Sequence, residues 1–169
     1  MNQKSKIMAQ GAMLAAAYVV LTHLQNMLIP DSASFAVQFR ASEALCVLAF
    51  FTPAAVPGLT VGCLLFNVSF AGALPLDFLV GSLATFFATA GMWLSRNWTI
   101  GGVPLFGLLL PALTNAILVG WELDLYIGGG FWINALLVAI GEAAVLLTLG
   151  WILYRVIRKN RLDTLVFGK

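Results

Sequence analysis

Residues 44–76 read ALCVLAFFTPAAVPGLTVGCLLFNVSFAGALPL, 33 residues without an Asp, Glu, Lys or Arg. How often this run crosses a bilayer decides the fold. A membrane helix takes about 20 residues, so the run is long for one span and short for two. One span gives five crossings and leaves the two basic ends of the chain on opposite faces, against the positive-inside rule. Two spans give six crossings and put both ends on the same face. Pro53 and Pro57, with Gly58 just after, supply the turn between them. Counted from residue 41, the stretch makes about 54 Å of helix, enough for two thin passes. Six crossings satisfy both constraints.

The composition around this stretch agrees. Of 169 residues, 61% are hydrophobic and 9% charged, where a soluble domain has ~45–50% and ~25%. Such a chain cannot hide its apolar surface in water. It reads as an all-α integral membrane protein, a single membrane domain over 1–169. The spans fall near 7–30, 41–54, 57–75, 77–95, 102–121 and 131–155. A disordered chain, a disulfide scaffold and a nucleic-acid-binding domain are excluded. Eight of the nine basic residues (Lys4, Lys6, Arg96, Arg155, Arg158, Lys159, Arg161 and Lys169) fall on one face, which the rule makes cytoplasmic. Asp31, Arg40, Glu43, Asp77, Glu122 and Asp124 gather at the other. The expectation is a multi-pass protein of the cell membrane with both termini cytoplasmic. A signal peptide cleaved near Ser34-Phe35-Ala36 is the competing reading of the first segment. Its 24 uncharged residues, 7–30, exceed the ~7–15 of a signal core.

Motifs for catalysis are missing. There is no G-x-x-x-x-G-K-[ST] and no H-E-x-x-H. His23 stands alone, and Cys46 and Cys63 lie in apolar segments without metal-ligand spacing. We expect no enzyme, no metal and no cofactor. No internal repeat is visible, which argues against a self-sufficient carrier.

Polar side chains in lipid are costly, so each invites a partner or a ligand. Glu142 sits about 17 Å into the sixth span, near the midplane. It is either a carboxyl bonded between helices or the anchor of a donor-rich ligand. Asn134, Asn115 and Asn67 place amides at comparable depth on three spans, as interhelical glue or as a polar pocket. At the rim, Glu43 can pair with Arg40 three residues before it, Asp77 can cap a helix, and Glu122 and Asp124 can be solvated loop. Trp121, Tyr126, Phe131 and Trp132 read as interfacial aromatics or as a lid over a flat ring, hinged at Gly128-Gly129-Gly130. Gly11 and Ala15, Ala12 and Ala16, and Gly58 and Gly62 form small-x-x-x-small pairs that allow close helix contact. Spacing does not say whether they meet a partner or an internal helix.

At these residues a resemblance becomes specific. Val37-Gln38-Phe39-Arg40-Ala41-Ser42-Glu43-Ala44-Leu45, Pro53-Ala54-Ala55-Val56-Pro57-Gly58, and Leu76-Asp77 followed by Gly81-Ser82-Leu83-Ala84-Thr85 resemble the signature of the QueT family. The resemblance implies a substrate-binding S component of an energy-coupling factor (ECF) transporter. Such a subunit docks on a transmembrane coupling protein served by two cytoplasmic ATPases. It also implies docking through Ala12 and Ala16, and a queuosine precursor, 7-aminomethyl-7-deazaguanine or queuine, as cargo. Glu142 or Glu43 suits the paired N–H donors of a guanine-like edge. Asn115, Asn134, Asn67 or Gln38 suits its remaining polar atoms, and Trp121 or Phe39 its flat face. Asp77, Glu122 or Asp124 suits a cationic aminomethyl group. A thiamin-like heterocycle would meet the same residues. An autonomous proton-coupled carrier and a purely structural membrane subunit are the rival classes.

Overall fold

The structure, a computed structural model, describes residues 2–30 and 39–167. Gln38, and with it most of the 31–40 loop, lies outside the described residues. Helix α1 is Gln3–Leu28, followed by a 3-10 helix, Ala41–Phe50, and by α2, Ala55–Ser69, and α3, Asp77–Leu94. A short α4, Leu105–Leu108, runs into α5, Leu110–Tyr126. Helix α6, Phe131–Val145, continues through a π-helical turn, Leu146–Gly150, into α7, Trp151–Lys159, and α8 is Leu162–Phe167. Joined end to end, these pieces make six apolar rods. Gln3–Leu28, Asp77–Leu94, Leu105–Tyr126 and Phe131–Lys159 are long and apolar enough to cross a membrane. Ala41–Phe50 and Ala55–Ser69 are apolar but shorter.

The deciding stretch breaks where its prolines sit. Pro53 has no N–H to carry a helix onward, and Pro57 falls in the first turn of α2, where proline is tolerated. Thr52 fixes the bend: its hydroxyl accepts from the Ala54 N–H (3.3 Å) and donates to Gln10 Oε1 (3.2 Å). The first half compensates for its shortness by its winding. Ten residues at ~2.0 Å per residue in a 3-10 helix reach about 20 Å, against about 15 Å in an α-helix. The tighter winding also stacks every third side chain, so Glu43, Cys46 and Ala49, all fully buried, form one inward row.

Two helix ends differ from the expected spans. Helix α2 stops at Ser69, and a turn follows in which the Asp77 carboxylate accepts from the Leu74 N–H (2.6 Å). Helix α5 runs on past Trp121 to Tyr126 and stops before Gly128, Gly129 and Gly130, all at positive φ. Glu122 and Asp124 therefore lie on a helix and not in a loop.

Close backbone contact holds the rods in register. The buried row of α1 is Gly11, Ala15, Tyr18 and Thr22. A Cβ on Gly58 would stand 2.6 Å from the Gly11 carbonyl oxygen, and one on Gly62 would stand 3.0 Å from that of Ala15. Gly11/Ala15 and Gly58/Gly62 thus meet each other inside the chain. Ala12 and Ala16, one position round α1, are exposed. Helices α5 and α6 approach as closely, with Gly120 against the Ala135 backbone. Gly58→Val overfills the first of these contacts, a change that costs about 1–3 kcal/mol. It is expected to lower the melting midpoint in detergent clearly, while Ala12→Val leaves it unmoved. A Gly58→Val protein as stable as the parent would contradict this packing.

Candidate functional site

Contacts divide the bundle into two ends. At one end Gln10 meets Thr52, Tyr154 donates to the Gly102 carbonyl (3.4 Å), and Arg96 lies near Arg158 around a common cavity. At the other, His23 meets Ser69, Asp77 closes its turn, and Asp124 accepts from the Gly130 N–H (2.9 Å). One end is basic and the other acidic, as the distribution of charge along the sequence anticipates.

Between the midpoint and the acidic end, polar side chains from every rod turn inward. Helix α1 contributes Tyr18, whose hydroxyl donates to Glu43 Oε1 at 2.5 Å, and Thr22, whose hydroxyl is hydrogen-bonded to Ser42 Oγ at 2.7 Å. Gln25, one turn on, donates to the Phe39 carbonyl and accepts from the Ala41 N–H (2.7 Å). These bonds clamp the start of the 3-10 helix to α1 and set the row below it. Cys46 donates to the second oxygen of Glu43 (3.1 Å). Glu43 is thereby buried and supplied with donors at both oxygens.

Arg40, immediately before the 3-10 helix, turns into the core and is 4% exposed. A Cβ on Gly81 would come within 3.9 Å of its guanidinium and 2.8 Å of Asn67 Nδ2. The absence of a side chain at Gly81 is what lets Arg40 and Asn67 occupy this space. Asp77, Glu43, Glu122 and Glu142 all lie within electrostatic range of Arg40. Four carboxylates from four segments thus act on one guanidinium.

Donors run short here. Glu122 and Glu142 are fully buried, and none of their four carboxylate oxygens meets a donor at hydrogen-bonding geometry. Asp77 stands beside Glu122, and Asn115 beside Glu142. Asn67 donates to the Asp77 carbonyl (2.8 Å), yet its own Oδ1 is buried without a partner. Five acceptor oxygens in this cluster therefore lack a hydrogen bond of full geometry. Among the described residues, the other buried side chain in that condition is Asn26, near the end of α1.

The sequence candidates sort accordingly. Arg40, Glu43, Asn67, Asp77, Asn115, Glu122 and Glu142 are all buried and come together. Asn134 is buried as well, but its amide donates to the Gly128 carbonyl (2.9 Å) and holds the glycine turn. Trp121 and Phe39, candidates for stacking, are about half exposed, at 49% and 46%. Tyr126 and Trp132 are exposed beside Trp121 at the acidic end, as suits an interfacial belt. Reasoning from sequence did not single out Tyr18, Thr22, Ser42 and Cys46. Their signal was present: Tyr18 and Thr22 continue the Gly11–Ala15 row at spacings of three and four.

A family model described as QueT transporter matches residues 8–159 of this chain. The chain belongs to the QueT transporter family. No curated protein and no solved structure matches it. Membership makes this a transport protein, and the apolar rods make it a multi-pass membrane protein. The match takes in every residue of the acid cluster.

Within that cluster the Tyr18–Glu43 bond gives a direct test. Tyr18→Phe strips a buried carboxylate of its shortest donor, which costs about 1–3 kcal/mol. A lowered melting midpoint is expected. An unchanged one would mean that Glu43 is held in some other way.

Proposed function

We propose that this chain is the substrate-binding S component of an ECF-type importer and that its cargo is a queuosine precursor, 7-aminomethyl-7-deazaguanine or queuine. The observation that carries the reading is chemical. The cluster leaves five buried acceptors unmet on α2, α5 and α6, so the complementary solute presents donors and positive charge. A guanine-like edge offers adjacent N–H groups that one carboxylate accepts together. An aminomethyl substituent adds an ammonium for a second carboxylate. Glu142, deeper in the bundle, takes the ring edge, while Glu122 and Asp77, nearer the acidic end, take the ammonium. Asn67 and Asn115 accept or donate to the remaining polar atoms, and Arg40 offsets part of the carboxylate charge.

The six rods are six membrane spans with both termini in the cytoplasm, and the acidic end faces out. The solute arrives from that side, and burying it excludes water and strengthens each polar contact. The chain carries no ATP-binding motif, so energy comes from a transmembrane coupling protein and its two ATPases. Ala12 and Ala16, exposed on α1, are the contact for that partner.

Calorimetry on the purified chain tests this. Tight binding of 7-aminomethyl-7-deazaguanine is expected. Glu142→Gln should weaken it by about 2 kcal/mol or more, and Glu122→Gln should weaken the aminomethyl compound more than a neutral 7-substituted analogue. In liposomes the chain alone should bind without accumulating solute. Failure to bind any deazaguanine rejects the cargo, tight thiamin binding replaces it, and proton-driven accumulation by the chain alone makes it an autonomous carrier.

A further inference from the structure

The basic end of the bundle differs in chemistry from the acid cluster. Two cavities, of about 720 Å³ and about 310 Å³, adjoin there and share Tyr154 and Arg158 in their walls. Arg155 and Lys159 complete the cationic lining of the larger one, and Arg96 joins Arg158 in the smaller. Asp163 is the acidic member of the walls and lies 3.9 Å from Arg158 Nη1. Four cations against one carboxylate leave a net charge of +3, which favours an anion.

The floor of the larger cavity is backbone. Gly101 and Gly102, at φ +60° and +80°, form a two-residue turn closed by paired bonds between Ile100 and Val103 (2.8 and 3.2 Å). A Cβ on either glycine would meet nothing within 4 Å, so the turn presents its peptide groups to open space. Tyr154 locks the turn from below through the Gly102 carbonyl. On the outer side of the same turn, Trp98, Ile100 and Phe106 are exposed at 69%, 69% and 53%. Trp98 and Phe106 pack together, ring centroids 6.2 Å apart. A cationic hollow thus opens beside an apolar aromatic ledge, at the level where a bundle of membrane helices ends.

From this juxtaposition we infer that the basic end binds a phosphate ester, and that its source is an anionic phospholipid. The phosphate sits among Arg155, Arg158 and Lys159, and the acyl chains lie along Ile100 and Phe106. A free phosphate ester shares the headgroup chemistry but has no use for the ledge. Basic pockets at the ends of membrane helices favour such headgroups. The site is separate from the proposed solute site and does not depend on that reading.

The test is native mass spectrometry of the full chain released from nanodiscs of mixed phosphatidylglycerol and phosphatidylcholine. The chain should retain phosphatidylglycerol at least about tenfold over phosphatidylcholine, each basic side chain near the surface adding several-fold. Arg155→Gln/Arg158→Gln/Lys159→Gln should abolish the preference. Lys4→Gln/Lys6→Gln, which changes basic residues outside both cavities, should keep it. Circular dichroism and melting check that each variant folds. Equal retention of the two lipids overturns the inference. So does an equal loss in the Lys4/Lys6 variant, which would show diffuse charge and not a built cavity. Calorimetry with glycerol phosphate in neutral detergent separates the sources. Binding as tight as that of the lipid would keep the anion site and overturn the phospholipid.

Discussion

In a bundle walled by hydrocarbon, an acceptor oxygen without a donor has no water to fall back on. Burying a polar oxygen without a hydrogen bond costs free energy, and here the four oxygens of Glu122 and Glu142 make none of full geometry. The rest of the structure makes this tolerable. Glycine-to-backbone contacts bring α1 against α2, and α5 against α6, at close range. Hydroxyls on the α1 side of the bundle are already committed: Tyr18 to Glu43, and Thr22 to the Tyr18 carbonyl and Ser42. On the proposed reading, stability is given up at one place so that an outside donor gains by arriving there.

Irregular helix gathers around the same place. Arg40 and Glu43 stand at the start of the 3-10 helix, and the π-helical turn begins four residues after Glu142. The two irregular segments pack on one another, with Gly150 set against Val47. Such windings mark helices whose register is a compromise, and they fall on the rods that carry Glu43 and Glu142. The two glycine-tight helix pairs form the frame, and the Gly128–Gly130 turn, pinned by Asp124 and Asn134, caps the acidic end.

Much of this was legible in the sequence because charge in an apolar chain is so sparse. Pro53 and Pro57 mark the break in the deciding run, and Glu142 declares its depth by counting residues from Phe131. Glu43, Asn67, Asp77, Asn115 and Glu122 each stand out as a polar residue inside or beside a long apolar segment. What was hidden has a physical cause. Tyr18, Thr22 and Cys46 are ordinary in a membrane helix, and they become donors only through contacts across 20 residues or more, or through 3-10 winding that periodicity does not reveal. Trp121 and Phe39 look like stacking residues by type, but helix phase turns Trp121 outward, and Phe39, ahead of the 3-10 helix, is half exposed. Glu122 looks like loop because the signal that ends α5 is the glycine triplet, six residues further on.

The central claim is that the sealed acceptors of Glu122 and Glu142 are completed by a donor-rich solute. A crystal structure of the chain with 7-aminomethyl-7-deazaguanine bound tests it most directly. Ring N–H groups are expected at about 2.7–3.2 Å from the Glu142 carboxylate, and the ammonium at similar range from Glu122. A solute bound elsewhere, with protein donors closed onto both carboxylates, would contradict it.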